Sequence, residues 1–219
     1  MYRKSDTRKK GHTRGWELIL SYDFATGITS GFYKGTQNSE IVECIKNLKA
    51  CISDVSHPLL LPLIVYSQEA SFKTDNIQRE ARDWLRRLEH AIALYSETGE
   101  GGVYASQGIV DLDAINRDML QCHRKILIKR PVAYLGILQS LKDAALAFGA
   151  EALVLSQDPN IQNIHGKAMS RLEFYRKRWQ GIETYANTSL QRLEVQRNSV
   201  GPMIKITISA ISLTNFEAL

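Results

Sequence analysis

The side chains best suited to chemistry in this chain are three cysteines, five histidines and a scatter of carboxylates, and their spacing limits what they can do. Cys122 and His123 are adjacent, and Cys44 and Cys51 lie seven positions apart. A zinc centre needs ligands paired at short loop spacing, as in C-x₂-C, and neither arrangement supplies that. Both read as buried structural thiols. His12, His57, His90, His123 and His165 are dispersed. None belongs to an H-E-x-x-H pair or a G-x-S-x-G turn, the settings in which histidine holds zinc or activates a serine. His57 before Pro58 and His90 on the polar side of a helix read as structural. Gly99, Gly101 and Gly102 form a G-x-G-G tract with no strand before it, so no phosphate cradle is expected. The sequence therefore assigns no catalytic residue, no metal ligand and no cofactor. For an enzyme built from dispersed residues, Asp23, Asp111, Asp113 and His123 are the first to replace, although nothing in their spacing favours them.

Charge narrows the binding chemistry. The formal net charge is +5 over 219 residues. Arg3, Lys4, Arg8, Lys9, Lys10 and Arg14 against Asp6 account for all of it, so the rest of the chain is neutral. A basic arm of this kind can touch phosphate or anionic lipid, and is otherwise a solvated, disordered terminus. A second basic cluster, Arg171, Arg176, Lys177 and Arg178, gives a candidate anion contact, with a solvated helix face as the simpler explanation. Nucleic acid is not the favoured partner. An odd number of cysteines fits free thiols in a reducing compartment. No apolar segment follows the charged N-terminus as a secretory signal would require. Pro58–Tyr66, Ala144–Leu155 and Met203–Leu213 all fall short of the roughly 18 apolar residues of a membrane span. The expected location is cytoplasmic, with membrane association only for a longer form.

The elements that must position these residues are mainly helical. Trp16–Tyr22 and Ile28–Tyr33 alternate as strands around the turn residues Phe24-Ala25-Thr26-Gly27, which predicts a β-hairpin. Asn38 or Ser39 is placed to cap a helix carrying Ile41, Ile45, Leu48 and Ile52. Leu59–Tyr66 is a continuous apolar run, either a buried strand or a buried helical turn, with Pro62 arguing against a central strand. Thr74–Ser96 is a one-sided helix, apolar at Ile77, Ala81, Trp84, Leu85, Leu88, Ile92 and Tyr95. Asp111 or Asp113 opens the next helix, and Pro131 stops it and starts another. The last helix is expected over about Ile161–Arg197. Leu172, Tyr175, Trp179, Ile182, Ala186, Ser189 and Leu193 repeat there in steps of three and four, a heptad seam for self-association or for ordinary bundle packing. Asn187-Thr188-Ser189 matches a glycosylation acceptor mid-helix and is incidental. Gly201-Pro202 is expected to end this helix. The fold class is mainly α, a helical bundle with a long C-terminal helix and a small N-terminal β-hairpin, bordering on α+β. Its expected organisation is a basic disordered tail over 1–14, one domain over 15–200 and an irregular tail over 201–219.

Several segments in order carry a family resemblance: WELILSYDFATGITSGFYKGT, HPLLLPLIVYSQE, QREARDWLRRLE, DLDAINRDMLQCH followed by KRPVAYL, and the long helix to LEVQRNSV. They resemble the soluble part of fungal CorA-like, magnesium-transporter-type proteins of unknown function, over about Trp16–Val200. The resemblance implies a membrane pair, and in true transporters a Gly-Met-Asn pore motif, after the long helix. This sequence turns instead to Gly201-Pro202 and a β-branched segment. The expectation is a non-catalytic helical assembly or regulatory domain that has lost its membrane spans and forms homo-oligomers through the Leu172–Leu193 seam. The alternative is a nucleic-acid or anionic-lipid binder using the basic arm and the 171–178 cluster.

Overall fold

The computed structural model describes residues 2–4, 16–35, 41–98, 104–106, 109–127, 130–155 and 159–217. These residues are mainly helical, with an antiparallel hairpin near the N-terminus and a long C-terminal helix, the class read from the sequence. They form β1 (Tyr2–Lys4), β2 (Trp16–Asp23), β3 (Ile28–Gly35), α1 (Ile41–Ala50), α2 (Leu60–Glu69), α3 (Phe72–Thr98), β4 (Ala105–Ser106), β5 (Ile109–Val110), α4 (Leu112–Ile126), α5 (Pro131–Leu155) and α6 (Pro159–Glu217). None of the described helices is long and apolar enough to cross a membrane. The chain divides into two compact units. Unit 1 joins Met1–Ser71 to Pro131–Gly181, and unit 2 joins Phe72–Arg130 to Ile182–Leu219.

Unit 1 contains the sheet, in the order β1-β2-β3. The hairpin forms as its turn chemistry requires. Gly27 adopts φ 67, a backbone region that glycine enters without steric penalty. Its N–H donates to the Asp23 carbonyl at 2.8 Å. The Asp23 carboxylate accepts from Ala25 N at 2.9 Å and from the Thr26 hydroxyl at 2.8 Å. Alternation then sorts the two faces. Leu18 is buried in a cluster with Cys44, Leu60, Ile64 and Val65, flanked by Leu20, Tyr33, Leu48, Cys51 and Leu61. The basic N-terminal segment departs from the expected disordered tail, because Tyr2–Lys4 pairs antiparallel with Trp16–Leu18. Residues 5–15, with His12, lie outside the described residues, as do the expected caps Asn38 and Ser39 and the 99–102 glycine tract.

The apolar run Leu59–Tyr66 is helical. Leu60, Pro62, Leu63, Ile64, Val65 and Tyr66 are all buried in α2, and a helical stretch apolar on every side lies in the interior; the last turn, Ser67, Gln68 and Glu69, is half-buried. Pro62 sits in its first turn, where a missing N–H removes no helical bond. In α1 the core residue is Cys44, while Ile45 and Ile52 are exposed. Ile52 falls in a 3₁₀ turn, Ile52–Asp54, past the end of α1, so the expected stripe is broken there.

Unit 2 packs Leu85, Leu88 and Ile92 of α3 against Ile115, Met119 and Cys122 of α4 and Leu193 and Val200 of α6. Asp111 caps α4, accepting from Ala114 N at 2.8 Å. The largest departure is at the C-terminus. Pro202 lies inside α6, which continues to Glu217 where an irregular tail was expected. Val200 is 1% exposed, so core packing holds the helix immediately before Gly201-Pro202. The propensity of β-branched residues for strands is a weak prior, and α6 runs on through them.

Candidate functional site

Two features of unit 1 bring chemistry-bearing side chains together. The first is a histidine pair. His57 stands just before α2, and its Nδ1 accepts from Leu59 N at 3.2 Å. Its Nε2 faces Nδ1 of His165, on α6, also at 3.2 Å. These contacts assign the tautomers. A backbone N–H occupies His57 Nδ1, so the proton sits on Nε2 and points at His165. Phe148 of α5 closes against both rings, edge-on to His57 at 4.8 Å and tilted to His165 at 5.9 Å. Tyr22 and Phe24 of the hairpin continue this aromatic layer onto Phe148. Gly149 leaves room for the second imidazole, since a Cβ there would come within 2.9 Å of His165 Nε2.

Burial lowers the His57 pKa to about 4, with the neighbouring His165 adding to the effect and Asp54 opposing it. His165 is also lowered by burial. Asp54, Lys167 and Arg171 stand around a void of about 10 Å³ beside His57, space for about one water. The pair is therefore neutral near pH 7 and bonded to itself. That suits a structural tie better than a general base, which needs a lone pair open to its substrate.

The second feature is a groove of about 290 Å³ between α5 and α6. It is lined by Leu135, Leu138, Gln139 and Lys142 on one helix and Met169, Leu172, Glu173, Arg176 and Gln180 on the other. Arg176 holds Glu173 through Nε at 2.9 Å and a terminal nitrogen at 2.6 Å. That bond, reinforced by Lys177 and Lys142, keeps the Glu173 carboxyl below the usual carboxylate range. Beyond one end of the groove, Tyr134 stacks on Trp179 with centroids 4.2 Å apart and planes at 7°. The Tyr134 hydroxyl donates to Glu69 at 2.7 Å, and the Tyr66 hydroxyl donates to the Tyr134 carbonyl at 3.2 Å.

The residues singled out from the sequence fall elsewhere or serve packing. Leu172, Trp179, Ile182, Ala186 and Leu193 are buried and Tyr175 is half-buried, so the heptad periodicity faces the chain's own interior. The basic cluster does not make one patch. At about 100° per residue, Arg171 and Arg178 share a side of α6, while Lys177 lies roughly a third of a turn away and Arg176 lies nearly opposite. Cys122 is fully buried and its thiol contacts the Ala81 carbonyl at 3.7 Å. Burial, then Glu89, pushes that thiol up to about 11, where it is unreactive. His90 and His123 are exposed. Asp23 shapes a turn and Asp111 caps a helix, and Asp113 lies exposed in the first turn of α4.

The His57–His165 pair was invisible in the sequence, because 108 positions separate its members and neither sits in a motif. Among the described residues no group of three His, Cys, Asp or Glu side chains is placed to hold a metal ion. Comparison of the chain with protein-family models, with curated proteins and with solved structures gave no match in any of the three.

Proposed function

We propose that the chain is a non-catalytic helical assembly and regulatory domain, of the kind its resemblance to the soluble part of CorA-like membrane proteins implies. The outer face of the sheet carries this reading. Ile19 and Phe32 are direct cross-strand partners there, and both are exposed, at 46% and 57%, beside Ile28 at 61%. They lie on or next to β3, whose second edge has no partner strand among the described residues. Soluble chains usually blunt such an edge with charge, proline or a covering element, because an open apolar edge is a template for another chain. Here Lys34 is the one charged residue along Ile28–Gly35. The polar pairs inside each unit support the same reading, since they bind elements together: His57 to His165, Tyr134 to Glu69 and Tyr104 to Asp118.

Sedimentation velocity of the full chain at micromolar concentration tests this. The expected result is self-association that Phe32→Lys weakens by about tenfold or more, as removal of one buried aromatic contact should. A strict monomer throughout that range sinks the reading. A charge placed in the Leu172–Leu193 seam does not test association, because Ile182 there is 6% exposed and its replacement by Asp tests folding.

A further inference from the structure

We propose that the groove between α5 and α6 binds a small amphipathic anion, a free medium-chain carboxylate whose tail lies along Leu135, Leu138, Met169 and Leu172 and whose head group meets Lys142 and Arg176. The two helices run antiparallel, since Tyr134 meets Trp179 while Gly149 meets His165. The groove therefore has an apolar floor with Leu138 and Leu172 at its base, each 3% exposed, and polar side chains along its rim. Its volume of about 290 Å³ falls just under the usual range of ligand sites, roughly 300–1,000 Å³.

Charge selects the ligand. Lys142 and Arg176 face a single acid on the lining, Glu173, which leaves one positive charge in excess. Arg176 commits Nε and one terminal nitrogen to Glu173, and its other terminal nitrogen keeps its donors. Lys142 acts on Glu173 only at a distance, behind Arg176 and Lys177, and makes no ion pair within 4.0 Å among the described residues. An ammonium with three donors beside an apolar trough matches a carboxylate joined to a hydrocarbon tail. A neutral amphiphile of equal length gains the floor alone, and a cationic one is repelled at the rim.

The test is calorimetric titration of the full chain with monomeric octanoate, octanol and octyltrimethylammonium, alongside amide chemical-shift mapping. Octanoate should bind about fivefold tighter than octanol, the gain expected from one half-exposed ion pair. Octyltrimethylammonium should bind weakest, and the shifts should centre on residues 135–142 and 169–180. Lys142→Met, which keeps the aliphatic stem, should abolish the preference for octanoate, and Lys49→Met on α1 should leave it intact. Circular dichroism establishes that both variants fold. Equal affinity for octanol and octanoate, an unchanged preference in Lys142→Met, or absence of binding at millimolar octanoate overturns the proposal. So does binding confined to phosphatidylglycerol vesicles, which would make the ligand a membrane surface.

Discussion

Units 1 and 2 are both built around parts of α6, yet they are held together by different physics. Unit 1 has its own aliphatic cluster, Leu18, Cys44, Leu60, Ile64 and Val65, and adds to it aromatic contacts threaded with polar ones: the Tyr22, Phe24 and Phe148 rings beside the histidine pair, and the Tyr134–Trp179 stack tied to Glu69. The core of unit 2 is dominated by aliphatic and sulfur-containing side chains, Leu85, Leu88, Ile92, Ile115, Met119, Cys122, Leu193 and Val200. Its notable ion pairs, Arg192 on Glu89 and Lys125 on Glu80, stand at the rim with partly exposed side chains. Aliphatic packing is non-directional and tolerates rearrangement, whereas stacked rings and a tautomer-specific hydrogen bond admit few alternatives. Unit 1 should therefore be the more easily disturbed by geometry and by protons, and unit 2 by salt.

The largest test of that contrast is Trp179→Ala. Trp179 is fully buried, and its loss should destabilise the protein by about 3–5 kcal/mol in chemical denaturation. Hydrogen exchange should show the lost protection concentrated in unit 1. Equal losses in unit 2 would mean that the two units unfold as one block.

Acid gives the next largest effect. The folded His57 titrates at about 4 against 6.5 when unperturbed. Between those values the unfolded chain takes up a proton that the folded chain refuses, so stability falls as pH falls from about 6.5 towards 4. The shift corresponds to about 3 kcal/mol, with His165 contributing in the same direction. His57→Gln should flatten the part of the pH–stability curve that lies in this window. An unchanged slope would assign the acid sensitivity to other groups.

Gly31→Ala should cost about 1–3 kcal/mol by thermal melting, because a Cβ would sit 2.4 Å from Leu20 Cδ2 and 2.6 Å from the Ile19 carbonyl oxygen. The smallest effect is expected at Arg192. Its bidentate contact with Glu89 has side chains 40% and 23% exposed, and Arg192→Ala should lose about 1 kcal/mol or less, with the difference shrinking in high salt. A salt-independent loss would show that the aliphatic stem of Arg192, and not its charge, supports unit 2.

Most elements were legible because their signals are local. The Phe24–Gly27 turn, the helix start at Asp111 or Asp113, the Pro131 start and the α3 stripe each need only a few neighbouring residues. The Leu59–Tyr66 run was ambiguous because periodicity cannot separate a buried strand from a buried helix. The extension of α6 through Pro202 was missed because a proline is read as a stop, while the burial of Val200 depends on residues distant in sequence. The heptad seam was legible as a pattern, but the same spacing serves a partner helix in another chain or in this one. The histidine pair and the α5–α6 groove depend on juxtaposition alone. Lys142 and Arg176 carry no sign in the sequence that they flank one trough.

The discontinuity of the units bears on synthesis. Unit 1 is interrupted after Ser71 and resumes only at Pro131. On the ribosome, the apolar segment Leu60–Tyr66 of α2 emerges well before Tyr134 and Trp179, which pack against Tyr66, exist to cover it. At about 5–20 residues per second that exposure lasts several seconds, long enough for chaperones to engage. Neither unit is complete in any single uninterrupted stretch of nascent chain, so a fragment cut at Ser71 or Arg130 lacks the second half of its own core.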